Sequence, residues 1–376
     1  MPTTQQRLDE RARVRKAQRF VCLSAFSLLT VISFSGCSSP KTRFAYVATG
    51  QGIFAFRVDG GTGAASQVFG SPFVAKTNAN FAASPSSAVV HPSNGLLYAA
   101  QQDINRISRF KIDSTTGSLT EVTPRTPLTD SSGDIGLAPV AMIMDSDGKY
   151  LFVANQLSSD VWVFSIGSSG TLTFVSRAQL NGSPTSLTLS ASGNFLYVPI
   201  QDLSKIYVFS VSAGTLTQVG IPFDVAGGVG NLGIEPDGSF LFVPNPSTNT
   251  VTVLRIQPDG SLTLSAGAFA TGTTPVAAAT NATGAYVYVA NSGSTNLSQF
   301  QLNTSTGELT ALTNSVAGTG TQPTQIILDP DGKFIFVVNQ QANSVSEFSQ
   351  NSDGTLATTG NTISGSVLPR SFSITK

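Results

Sequence analysis

Residues Ser183–Val219 read SPTSLTLSASGNFLYVPIQDLSKIYVFSVSAGTLTQV. Four short apolar runs stand in a row: Thr185–Ser190, Phe195–Pro199, Lys205–Val211 and Thr215–Val219. Between them lie Ala191-Ser192-Gly193-Asn194 and Ser212-Ala213-Gly214. β-Branched and aromatic residues fill the runs, while Gly, Asn and Ser fill the gaps, so the stretch predicts a four-stranded antiparallel meander. One such sheet cannot bury both of its faces and needs neighbours of the same kind.

The neighbours are in the chain. The second run recurs as FAYVA, LLYAA, YLFVAN, FLYVP, FLFVPN, YVYVAN and FIFVVN. The central aromatics are Tyr46, Tyr98, Phe152, Tyr197, Phe242, Tyr288 and Phe336, spaced 52, 54, 45, 45, 46 and 48 residues apart. The third run repeats with Phe56, Phe110, Phe164, Phe209, Leu254, Phe300 and Phe348 at one position. A GSLT-like hairpin follows at Gly117, Gly170, Gly214, Gly260, Gly307 and Gly354. Four strands in about 45 residues, seven times over, predict an all-β, seven-bladed β-propeller.

The first repeat begins at its second strand, Phe44, and the missing strand stands at the other end of the chain. Leu368–Ile374 aligns with Ser183–Leu189. One blade is therefore expected to be built from both ends, which closes the ring and leaves no free edge. The domain reading is 1–36 export signal, 37–43 tether and 44–376 propeller. The 340 residues after the signal suffice to bury roughly 75% of their extended surface.

Residues 1–36 carry Arg7, Arg11, Arg13, Arg15, Lys16 and Arg19, then the apolar run Phe20–Phe34. That run is short for a span of about 20 residues and fits a signal segment. Ser35-Gly36-Cys37 follows, and small residues before a Cys resemble the lipobox of bacterial lipoproteins, although Phe34 stands where Leu is preferred. Lipidation of Cys37 is expected, against the alternatives of an ordinary signal peptide or an uncleaved anchor. The only other Cys is Cys22, inside the signal, so the mature chain could form no internal disulfide. The resemblance implies three acyl chains, enough for firm attachment where one binds marginally. The expected location is the cell envelope, with the membrane as partner through the anchor and the propeller a monomer.

The whole chain has 21 basic and 21 acidic residues. Removing six basic and two acidic residues with the signal leaves 15 and 19, a net charge near −4 with no basic cluster. Nucleic-acid binding is not expected. The long connections Gly70–Ala83 and Val122–Ala138 join one blade's fourth strand to the next blade's first. They share a face, the loop face, with the connections between second and third strands. The opposite, turn face carries tight turns such as Pro236-Asp237-Gly238 and Pro330-Asp331-Gly332, whose Asp-Gly pairs supply positive φ. That turn chemistry accounts for Asp145/Asp147 and Asp329/Asp331 without a metal or a catalytic pair.

The clearest repeated polar feature is the end of the second strand, held by Thr49, Gln101, Asn155, Ile200, Asn245, Asn291 and Asn339. Its amides are expected at the loop face, bonding their own turn backbone or touching a ligand. His91, the sole histidine, aligns with Asp145, Glu235 and Asp329 at the turn face and reads as structural. One His excludes a multi-histidine metal site. No GxSxG elbow, phosphate loop, EF-hand or zinc motif occurs, and Trp162 is the only Trp, so a quinone cofactor lacks stacking partners. No cofactor and no metal are expected.

The blade text PDGSFLFVPN, PDGKFIFVVN and YVYVAN resembles the lactonase family of seven-bladed propellers, with its 6-phosphogluconolactonase-like members, and the related YVTN-repeat propellers. The resemblance covers about residues 44–376. It implies a His before the first strand of a middle blade and an Asp after its second; Thr185 and Ile200 stand there, with Asp202 displaced by two. It implies an Arg-His pair and a Glu in the next blade, where Gly230, Asn231 and Pro246 stand, and a later Arg where Ser292 stands. Opening a lactone with water needs a general base and a stabilised oxyanion. The expected function is therefore a non-catalytic propeller binding a protein, glycan or small polar ligand at its loop face. The alternative is a lactone hydrolase acting on a non-phosphorylated lactone. The expected ligand residues are Gln101, Asn155, Asp202, Asn231, Asn245, Asn291 and Asn339, with no catalytic residue. If Cys37 carries the anchor, Cys37→Ala moves the protein from the detergent phase to the aqueous phase on phase partitioning; an unchanged partition contradicts lipidation.

Overall fold

The computed structural model of the chain describes residues 42–75, 83–312, 318–365 and 367–376. The expected signal, Cys37 and all of the tether but Thr42 and Arg43 lie outside the described residues. Among the described residues the strands form seven antiparallel sheets, six of four strands and one of five. Each runs inner, second, third and outer strand. Blade 4 keeps the predicted order at Thr188–Leu189, Phe195–Ile200, Lys205–Ser212 and Thr215–Gln218, with Phe223–Asp224 added beside its third strand. Its inner strand is shorter than the predicted Thr185–Ser190. Thr185 N still lies 3.4 Å from Pro199 O, so the strand approaches its neighbour loosely and pairs fully only at Thr188. The connection predicted at Val122–Ala138 is also shorter, because the outer strand of blade 2 runs on to Pro127.

Closure follows the expected route. Pro369–Ile374 pairs antiparallel with Thr42–Thr49, matching Ile374 to Ala45 and Phe372 to Val47, and so forms the inner strand of blade 1. Thr375 extends the pairing: its N–H donates to Phe44 O and its Oγ1 accepts from Phe44 N.

The core lies between blades, in seven apolar clusters, one for each interface of the ring. This is why the second strands read as nearly unbroken apolar runs: both of their faces are covered. The closing interface between blades 7 and 1 is packed like the others, with the Phe336 and Phe372 rings stacked 4.8 Å apart. It also holds an ion pair. Arg43, 1% exposed, donates to Asp329 at 2.8 Å and pairs with Asp331. The turn aspartates of blade 7, read from sequence as turn chemistry alone, thus tie the two ends of the ring.

A second contact recurs around the ring. Each outer hairpin carries a glycine at positive φ, and at Gly117 (φ +75°) a Cβ would stand 2.1 Å from the Phe44 ring of the preceding blade. Only glycine fits there. Its bare carbonyl receives a donor from that blade: Tyr46 to Gly117 O at 3.0 Å, Tyr98 to Gly170 O at 2.7 Å, Tyr197 to Gly260 O at 3.3 Å and Tyr288 to Gly354 O at 2.7 Å. Burial pushes the Tyr98 hydroxyl up to about 12, so it remains a donor. Where Phe152, Phe242 and Phe336 lack the hydroxyl, another side chain donates to the same hairpin, to the glycine carbonyl in one case and to the carbonyl before the glycine in two. Ser176 donates to Gly214 O, Ser265 to Thr306 O and Asn361 to Thr62 O.

On the turn face His91 lies across an interface, with Nε2 3.0 Å from Gly148 O and Nδ1 2.8 Å from Ser93 Oγ. In the equivalent place of blade 5, Glu235 is 3% exposed beside Gly284, and its Oε2 has no partner among the described residues. Burial, with Asp237 beside it, pushes its carboxyl from 4.5 up to about 7.

Two outcomes follow for stability. Tyr98→Phe leaves Gly170 O without its donor and is expected to cost about 1–2 kcal/mol in urea unfolding. Glu235 holds its proton more tightly folded than unfolded, so stability should fall as pH rises from about 4.5 to about 7; Glu235→Gln should flatten that slope. An unchanged slope would show that Glu235 does not set it.

Candidate functional site

The inner strands start at the loop face, five of them at a proline, Pro85, Pro139, Pro275, Pro323 and Pro369, while in blade 4 Pro184 makes an isolated bridge to Ile200 ahead of the strand. Proline has no N–H to donate and a fixed φ, which suits the first residue of a strand. The residue before it takes positive φ at Ala138, Thr274, Gln322 and Leu368, turning the chain inward. The residues just after these starts line a cavity of about 240 Å³ on the axis of the ring, to which all seven blades contribute.

The walls are stitched by hydrogen bonds between inner strands. Ser371 Oγ and Ser373 Oγ accept from Ala88 N and Val90 N. Ser87 Oγ accepts from Met142 N, and Thr188 Oγ1 donates to Leu232 O. Gln325 Oε1 accepts from Phe372 N. Much of the channel's hydroxyl and amide chemistry is therefore already used in holding the ring.

Of the predicted site residues, Asn231 lines the cavity. Its Nδ2 donates to Thr324 O at 3.0 Å, tying blade 5 to blade 7. Asp202 lies exposed at the rim, on the 3₁₀ turn Gln201–Leu203, with Oδ2 3.5 Å from Ser183 N. Asp103 does the same in blade 2, accepting from Ser84 N at 3.2 Å.

Gln101, Asn155, Asn245, Asn291 and Asn339 are all buried at the end of the second strand. They present no surface to a ligand, which corrects the expectation for these five. The four asparagine amides clamp side chains of the third strand rather than mainly turn backbone. Asn155 donates to Asp160 Oδ1 at 2.9 Å, and Asn291 to Asn296 Oδ1 at 2.8 Å. Asn339 donates to Ser346 Oγ at 2.8 Å, while Asn245 accepts from Thr252 and donates to Gly228 O. Asp160, buried, is satisfied by Asn155, Ser158 and the Trp162 indole.

One functional candidate escaped the sequence reading. Arg370 lines the cavity and, among the described residues, is the only charged one that does so. The signal is the alignment of Arg370 with Thr185, which also lines the cavity. Its Nη1 donates to Ser84 Oγ at 3.1 Å and lies 3.5 Å from Gln102 Oε1. Thr185 and Asn231 occupy places where the resembled enzymes carry ionisable groups. Another such place, Ile200, is fully buried and apolar. Among the described residues no carboxylate, imidazole or amine lines the cavity, and no three His, Cys, Asp or Glu side chains stand together as a metal site. No helix of the described residues is long and apolar enough to cross a membrane.

Comparison with known proteins agrees with this geometry. The family profile "Lactonase, 7-bladed beta-propeller" matches residues 38–230, 221–321 and 314–376. Among solved structures the chain is similar to a Bacteroides fragilis protein proposed to be a 6-phosphogluconolactonase. Identity is 20%, coverage 91% of this chain and 100% of that one, and the TM-score 0.75. It is similar to a Lactobacillus plantarum protein at 20% identity, 89% and 99% coverage and a TM-score of 0.74. It is also similar to the periplasmic gluconolactonase PpgL of Pseudomonas aeruginosa at 21% identity, 89% and 99% coverage and a TM-score of 0.73. At these identities the likeness is one of fold. No curated protein sequence matches. With the family profile spanning nearly the whole propeller, the chain belongs to the lactonase family of seven-bladed β-propellers.

Proposed function

We propose that this lactonase-family chain is an exported, lipid-anchored propeller that binds a small polar ligand at the loop-face mouth of its channel without turning it over. The single observation that carries the reading is the chemistry of the cavity wall. Hydroxyls, amides, apolar side chains and one guanidinium line it, and among the described residues no carboxylate, imidazole or amine does. Lactone hydrolysis needs a group to take a proton from water, and such groups act within hydrogen-bond reach of the reacting atoms. His91 is committed to Gly148 and Ser93 on the turn face, at the opposite end of the inner strands. Export and anchoring rest on the reading of residues 1–37.

A lactone hydrolase is the second reading. Family membership and the named activity of the P. aeruginosa neighbour favour it, and Arg370 could stabilise an oxyanion. The base would then have to come from the bound lactone or from the rim, where Asp202 is an exposed carboxylate of blade 4.

The test is turnover. Purified Ser38–Lys376 is mixed with glucono-δ-lactone and with simple γ-lactones, and acid release is followed in a pH-stat. The expected rate equals the spontaneous rate at every lactone concentration. A saturable rate that Asp202→Asn or Arg370→Ala abolishes would establish the hydrolase and overturn the binding reading.

A further inference from the structure

We infer that Arg370 makes the channel mouth a carboxylate site, so that the ligand is a small hydroxylated monocarboxylate. The inference rests on the binding reading above and names its ligand class. Arg370 is the second residue of the closing strand, where that strand leaves the loop face. Three arginines of the ring are spent on acids, Arg43 on Asp329, Arg125 on Glu121 and Arg177 on Asp134, and Arg57, Arg109 and Arg255 bond neutral oxygens away from the channel. Arg370 has no carboxylate within 4 Å among the described residues.

Its guanidinium is oriented rather than loose. Nη1 is held by Ser84 Oγ and Gln102 Oε1 of blade 2, and Ser84 is itself fixed through its N–H to Asp103. That leaves Nε and Nη2 without a protein hydrogen bond among the described residues, and neither is a buried unpartnered atom. Nη2 also has room. Arg370 is half-buried, and Gly50 passes beside Nη2 with no side chain of its own; a Cβ there would stand 3.8 Å from that nitrogen. A pinned guanidinium with one free edge matches the two oxygens of a carboxylate in a planar fork.

The rest of the wall sets the remainder of the ligand. Thr185, Ser186 and Asn231 offer hydroxyls and an amide, and Ser186 Oγ has no partner among the described residues. Such groups suit a hydroxylated carbon chain. A phosphate dianion fits less well. Among the lining residues there is one positive charge, and no described helix N-terminus points into the cavity to supply further N–H donors.

The experiment is isothermal titration of Ser38–Lys376 with sodium D-gluconate, its neutral counterpart sorbitol, and inorganic phosphate. Saturable gluconate binding is expected, with sorbitol and phosphate each at least tenfold weaker. Arg370→Gln should weaken gluconate at least tenfold, and Arg370→Lys, which keeps the charge but loses the fork, should fall between. If Arg370→Gln does not fold, as judged by its melting curve, Arg370→Lys decides. The inference is overturned if wild type binds no gluconate, if sorbitol or phosphate binds as well, or if the substituted protein binds gluconate like wild type. Lactone turnover would remove the non-catalytic reading but leave this one to stand or fall on the carboxylate titration, so the two failures are distinguishable.

Discussion

A ring of sheets holds only if its last blade meets its first as well as any other pair meets. Every strand edge is otherwise a place where the structure can open or pair with another chain. Here the requirement is met by Pro369–Ile374, which completes the sheet begun by Thr42–Thr49. The Phe336–Phe372 stack and the bond from Phe372 N to Gln325 Oε1 carry the joint on into blade 7. The Arg43–Asp329 pair seals its turn-face end. A buried pair of this kind adds little net stability over an apolar replacement, yet removing one partner strands the other at a cost of about 3–5 kcal/mol. Its value lies in fixing which blades meet.

The remaining interfaces use one device in several chemical forms. A glycine at positive φ lets the outer hairpin lie flat on the preceding blade, and its exposed carbonyl must then be satisfied. Four tyrosines do this directly and Ser176 does it at Gly214, while Ser265 and Asn361 donate to the carbonyl of the residue just before the glycine. The geometry of the joint is kept while the residue that serves it changes.

That freedom explains what the sequence disclosed. The fold was legible because sevenfold spacing, turn glycines and apolar second strands are all demanded by the same repeated packing. The closing strand was legible because it carries the same Pro-containing start as the inner strands it imitates. The asparagines misled for the same reason. A polar residue that recurs in most blades answers a need that every blade has, and that need is to hold the second strand to the third. Asn155 and Asp160 meet it inside blade 3, out of reach of solvent. The informative residue is one that departs from its equivalents: Arg370, where other blades place Thr185, Val140 or Thr324 at the same inner-strand position. Which of Arg370's nitrogens would remain free depended on Ser84 and Gln102 of another blade, and no local pattern foretold that.

The closing strand thus carries both the seal of the ring and the one charge that lines its channel among the described residues. Native-state hydrogen exchange of Ser371–Thr375 tests this most directly. These amides should exchange only with global unfolding, at the same free energy as those of Phe44–Ala48 and of the inner strand Pro275–Thr280. Exchange of Ser371–Thr375 at a clearly lower free energy, with Pro275–Thr280 still protected, would contradict a ring sealed by its own last strand.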